Sequence, residues 1–168
     1  MKQIAATVLV ILGITFYLGS KDYTVNEVSE SMSEIDLGEN KVLSDNILLP
    51  FVKEFYDEAI DNGLDVDKLS KGYTGIHVER LAPGFLGKTF FYPDLGFSVL
   101  TPEVLVNDRQ IRVLVFHELG HWYGFRHCHD YCISIMSANA GRLVFYNNWE
   151  AQKEIMFKQL DHRGINIE

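Results

Sequence analysis

His117-Glu118-Leu119-Gly120-His121-Trp122-Tyr123-Gly124-Phe125-Arg126-His127 crowds metal-ligand side chains onto one helical stretch of the chain. Just upstream, Asn107-Asp108 supplies capping side chains. Ile111, Leu114, Val115, Leu119 and Trp122 then recur at helical spacing, so a helix is predicted from Asn107 to Gly124. Four residues turn a helix by about 400° and raise it by about 6 Å, which projects the imidazoles of His117 and His121 from one face. Two neutral imidazoles so placed can share one Zn²⁺ at about 2.0–2.1 Å. Glu118, one step round the helix, can reach a water on that metal without being a ligand, as a general base must.

A catalytic zinc usually takes three protein ligands and keeps one position open. Gly124 and His127 follow His121 at intervals of three. Glycine ends a helix in the left-handed conformation without a Cβ penalty, and a sharp turn there returns the chain under the helix, carrying His127 to the metal. Other donors are nearby. His129 rivals His127 as third ligand, and Glu150, on a later predicted helix, is the third ligand of a gluzincin-like peptidase. A fourth ligand from Cys128, Cys132 or His129 would close the site into a structural zinc, and the chain would then be a non-catalytic zinc-stabilised binding module. With an open position the same donors imply metal-assisted hydrolysis, of peptide or other bonds.

The eleven residues resemble the extended zinc signature of the metzincin metallopeptidases. These also carry a methionine in a tight turn beneath the metal; here Ile133-Ser134-Ile135-Met136-Ser137 puts Met136 nine residues after His127. That short interval is similar to matrixins and archaemetzincins, and Cys128 directly after the third histidine also resembles the latter. The second cysteine is displaced by one position, however, and the further cysteines of a second zinc site are absent, so the resemblance is to the clan and not to a subfamily. It covers about residues 107–140, and more loosely 46–168. It implies an α+β, metzincin-like zincin domain: a small twisted mixed sheet with an active-site helix and a C-terminal helix. It further implies one catalytic Zn²⁺ on His117, His121 and His127, Glu118 as catalytic base, and Gly124 and Met136 in support. The implied activity is that of a zinc metalloprotease, an endopeptidase taking a protein or peptide substrate in extended form along an edge strand. Here that edge corresponds to Lys88–Tyr92, with a pocket wall from Ala138 to Arg142. Trp122, Tyr123 and Phe125 read as packing residues, and His77 and His162 as surface or structural ones.

Outward from this centre, a helix is predicted from Asn46, capped by Asn46 or Asp45. Leu48, Leu49, Val52, Phe55, Tyr56, Ala59 and Ile60 lie on its apolar stripe, and Asn62-Gly63 ends it. Strands are predicted at Gly75–Leu81, Lys88–Tyr92, Phe97–Leu100 and Val104–Val106, separated by Ala82-Pro83-Gly84, Pro93-Asp94 and Thr101-Pro102. A last helix is predicted from Asn148 to Leu160, with Trp149, Ile155, Met156 and Leu160 apolar.

The length of 168 residues suits one modest domain, and a formal charge of -8 argues against nucleic acid as the main partner. Met1-Lys2-Gln3 precedes the apolar run Ile4–Leu18, which is shorter than the roughly 20 residues of a membrane-spanning helix. Residues 1–19 therefore read as a signal peptide or signal anchor, with the catalytic domain exported: secreted, periplasmic or held at a membrane through residues 4–18. Residues 20–45 are polar and acidic and read as a linker or short pro-segment, ahead of a catalytic domain at 46–168. In an exported chain, Cys128 and Cys132 can form a disulfide.

Overall fold

The computed structural model describes residues 32–105, 107–128, 134–138 and 148–158. Residues 1–19, Cys132, His129, His162 and the pocket-wall positions 139–142 lie outside the described residues. The described part is a mixed α+β fold in which one five-stranded sheet packs against helices. The strands are β1 (Met32–Asp36), β2 (Lys41–Asp45), β3 (Tyr73–Val78), β4 (Gly87–Phe91) and β5 (Gly96–Leu100). The helices are α1 (Leu49–Asp61), the short α2 (Val66–Leu69), α3 (Asp108–Trp122) and α4 (Trp149–Lys158).

The sheet order is β1-β2-β3-β5-β4. β3 runs parallel to both β2 and β5, whereas β4 pairs antiparallel with β5. The chain thus passes from β3 out to the edge, forms β4, and returns to lay β5 between them. Pro93 and Asp94 turn it back, and the Tyr92 N–H bonds the Leu95 carbonyl at 2.8 Å to close the turn. β4 is therefore an edge strand, and α3 packs across it, β5 and α1.

The core lies between α1, α3 and the sheet. Phe55 on α1 is fully buried, with edge-on contacts to Tyr56, Phe116 and Tyr123 at centroid separations of 5.2–5.7 Å. A cluster of this kind loses about 3–5 kcal/mol when its central ring is cut back to alanine. It packs α1 against α3, the helix that carries the histidines.

Four expectations are corrected. The first helix begins at Leu49, not Asn46, because its expected caps are used elsewhere: the Asp45 carboxylate accepts the Val78 N–H at 2.6 Å and Asn46 Oδ1 accepts the Ser33 hydroxyl at 2.6 Å. Its apolar stripe includes buried Phe51 in place of Ile60, which is exposed. Residues 102–104, expected to open a strand at Val104, form a 3-10 turn, as suits Pro102 with its missing N–H. On α4 the inward face is Gln152, Lys153, Met156 and Phe157, and Ile155 faces solvent. The acidic stretch 20–45 contributes β1 and β2 from residue 32 onward. These strands are so short that only Ile35, Val42 and Ser44 turn fully inward, which leaves too few apolar positions for alternation to show.

Candidate metal centre

Helix α3 starts as expected: Asn107 is extended, and its side chain accepts the Gln110 N–H at 2.8 Å. It ends at a Schellman turn, with Gly124 N–H bonding the His121 carbonyl at 3.1 Å and Phe125 N–H bonding the Gly120 carbonyl at 2.9 Å. Gly124 has φ +85°, the left-handed conformation that only glycine adopts without strain. The chain reverses there, Phe125 enters the core, and His127 comes back against the helix.

The reversal brings three imidazoles together. The Nε2 atoms of His117, His121 and His127 are mutually 3.0, 3.0 and 3.1 Å apart. His117 is buried, His121 half-buried and His127 exposed, so the cluster opens to solvent on one side. Among the described residues, no further His, Cys, Asp or Glu joins it. Glu150 pairs with Lys153 at 3.0 Å and faces solvent, and Cys128 is disulfide-bonded and offers no thiolate.

Tautomers decide what this cluster can hold. His117 Nδ1 lies 2.7 Å from the Ile135 carbonyl and His121 Nδ1 lies 3.2 Å from the Phe125 carbonyl. A carbonyl only accepts, so Nδ1 carries the proton on both rings and each neutral ring's Nε2 presents a bare lone pair. Lone pairs 3.0 Å apart repel unless a cation sits among them. Burial drives the same way: it pushes His117 down to about 3, against the bond from Ile135, while the neighbouring imidazoles lower it further. His121 is lowered first by burial and then by His127. Three imidazole Nε2 atoms at these separations, close to the ~3.3 Å spacing of tetrahedral ligands at 2.0–2.1 Å, fit one divalent transition metal.

Met136 is fully buried and packs against α3 at Gly120. A Cβ on Gly120 would lie 2.7 Å from its sulfur, so glycine at 120 lets the turn approach. The turn Ser134–Ser137 is closed by the Ser137 N–H on the Ser134 carbonyl at 2.9 Å, and the Cys128 N–H bonds the Met136 carbonyl at 3.0 Å. The residue before Met136 supplies the carbonyl that orients His117. Tyr123 and Phe125 are buried and Trp122 packs against the core.

Glu118 is 3% exposed and lies on the β4 side of the helix, where Thr89 Oγ1 is 2.7 Å from its Oε2. Burial pushes its carboxyl up to about 7, against that hydrogen bond, which lowers it. Thr89 and Gly87, which also lies against this carboxylate, were not singled out from the sequence. Thr89 falls in the segment Lys88–Tyr92 expected to be the edge strand and Gly87 lies just before it; their two-residue spacing, which puts both on one face, was the available signal.

Comparison of the chain with protein-family models, with characterised proteins and with solved structures gives no match.

Proposed function

We propose that this chain is a zinc-dependent endopeptidase of the metzincin type. The observation that carries the reading is the convergence of the Nε2 atoms of His117, His121 and His127, with Glu118 next along the helix and no fourth donor among the described residues. When bound, zinc lowers the pKa of a coordinated water toward about 7 and polarises the scissile carbonyl.

The chain's residues do the rest. Nδ1–H donation to the Ile135 and Phe125 carbonyls holds two ligand rings in one tautomer and orientation. Glu118 takes the proton of the attacking water and passes it to the leaving amine. β4 is an antiparallel strand at the edge of the sheet beside α3 among the described residues, and it is the element along which an extended peptide would add as a further strand. Export through residues 1–19 completes the proposal, and a disulfide at Cys128 is what an oxidising compartment permits.

A cleavage profile against an unbiased peptide library, with and without chelator, tests the reading. Cleavage should need the metal, and Glu118→Ala should abolish it while one zinc stays bound. His127→Ala should lower zinc stoichiometry sharply. Cleavage that survives in Glu118→Ala, or zinc content that survives in His127→Ala, refutes the assigned roles.

A further inference from the structure

Glu118 does not hang free beside the histidines. Its Oε2 is 2.7 Å from Thr89 Oγ1, which also lies 2.8 Å from the Glu118 backbone carbonyl. Thr89 Oγ1 is in turn 2.9 Å from Ser98 Oγ, its cross-strand partner on β5, and Ser98 accepts the Tyr73 hydroxyl at 2.8 Å from β3. Three strands thus line up one hydroxyl each, ending at the carboxylate.

The direction of the chain follows from what each end can do. An ionised carboxylate only accepts, so Thr89 donates to Glu118. Its oxygen is then open to accept from Ser98, which in turn accepts from Tyr73. Tyr73 is 2% exposed and burial holds its phenol well above the ordinary value, so it stays a donor. With the carboxylate ionised each link has one proton and one acceptor, and the single Thr89 proton is shared between Glu118 Oε2 and the Glu118 backbone carbonyl, both of which only accept. The link onto an ionised carboxylate is charge-assisted and the strongest of the set. β4 makes room for this arrangement: a Cβ on Gly87, two residues before Thr89 on the same face, would collide with Glu118 Oε1.

We infer that Thr89 is the positioning residue of Glu118, aimed by the Tyr73–Ser98 hydroxyl pair, and that this chain with the gap at Gly87 holds the carboxylate in a single orientation against β4. The catalytic consequence rests on the peptidase reading, but the positioning of the carboxylate does not. A general base displaced by about 1 Å loses up to about 100-fold in rate. Thr89→Val keeps the shape of the side chain and removes the hydroxyl, whereas Thr89→Ser keeps the hydroxyl and removes only a methyl.

The test uses the zinc-loaded full chain and has two arms. In the first, kcat and KM are measured on a cleaved library peptide. Thr89→Val should lower kcat by about 10- to 100-fold, with KM and zinc stoichiometry unchanged, and Thr89→Ser should restore most of the rate. In the second, crystal structures of the zinc-loaded wild type and Thr89→Val are compared. The Glu118 side chain should leave β4 in the variant alone. A folded, zinc-bound Thr89→Val at wild-type kcat, or with Glu118 unmoved, overturns the inference. Should Thr89→Val fail to fold, Ser98→Ala takes its place, with the same loss expected in smaller degree and the same results counting against it. If the wild type cleaves no peptide, the peptidase reading fails, and the crystallographic arm alone still decides the positioning.

Discussion

Gly124→Ala puts the turn that assembles the metal centre under a measurable load. Gly124 sits at φ +85° and closes the Schellman turn through its bond to the His121 carbonyl, three residues from His121 and three from His127. An alanine forced into the left-handed conformation costs about 1–2 kcal/mol. Its stiffer unfolded chain returns about 0.4–1 kcal/mol, which leaves a net loss near 1 kcal/mol in the metal-free protein. A turn that merely ended the helix would cost the same with metal present. A turn that delivers His127 also weakens the site, and each tenfold rise in the zinc Kd removes about 1.4 kcal/mol from the stabilisation that saturating zinc provides. Urea unfolding of wild type and variant, each with chelator and with excess zinc, separates the two terms. The expected result is a loss of about 1 kcal/mol without metal and a distinctly larger loss with it. Gly124→Asn should fall between, because asparagine enters this conformation more readily. A variant that keeps the full zinc increment refutes the claim that this turn positions the third ligand. One that loses nothing without metal refutes the strain argument.

Two predictions concern the scaffold. Lys153 on α4 bonds Glu58 on α1 and lies 3.0 Å from Glu150, with its side chain 9% exposed. Lys153→Ala should destabilise the fold by about 1–3 kcal/mol, read by urea unfolding. Burial pulls the Lys153 pKa down, but the bonds and charges of Glu58 and Glu150 outweigh it and leave it above 10.5. The stabilisation is therefore full below 10.5 and is lost as pH rises through the higher folded value, so the gap to the variant should narrow only in that alkaline range; a gap unchanged there argues against the ion pair. His77, held below its ordinary 6.5 by burial against the raising effect of Asp45, works in the opposite sense. The unfolded chain takes up its proton first, so stability is full above 6.5 and falls as pH drops below it. His77→Gln should flatten that acid limb in unfolding measured against pH, and an unchanged slope would remove His77 as its source.

The metal centre was legible because its geometry is local. His117, His121, Gly124 and His127 fall within eleven residues, and helical rotation plus one left-handed turn suffice to bring their nitrogens within 3.1 Å. Nothing from the rest of the fold is needed to make that argument. The cap at Asn107 was legible for the same reason, and so was β4, bounded by turn residues on both sides. The false helix start at Asn46 shows the limit. Asp45 and Asn46 have the right chemistry for a cap, but β3 and Ser33 claim their oxygens, and those partners lie 33 and 13 residues away. A capping side chain is read from its neighbours in sequence, and tertiary competition for it leaves no trace there.

The hydroxyl chain behind Glu118 was invisible for a different reason. Tyr73, Thr89 and Ser98 come from three strands, and their meeting depends on β5 inserting between β3 and β4. Had the chain laid its strands in sequential order, β4 would lie between β3 and β5: Thr89 would keep Ser98 across the β4–β5 hairpin, but β5 would no longer border β3 and Ser98 would lose the Tyr73 hydroxyl. No spacing rule encodes that choice, and threonine and serine are unremarkable in strands. What the sequence did contain was a requirement. On α3 the residue after His117, Glu118, is carried toward the sheet, and a carboxylate so buried needs a donor. The edge strand was the nearest element able to provide one, and Gly87-Lys88-Thr89 puts an absent side chain and a hydroxyl on the same face. The three-histidine cluster follows from the helix and its one left-handed turn, but the partners of the Glu118 carboxylate follow from the sheet.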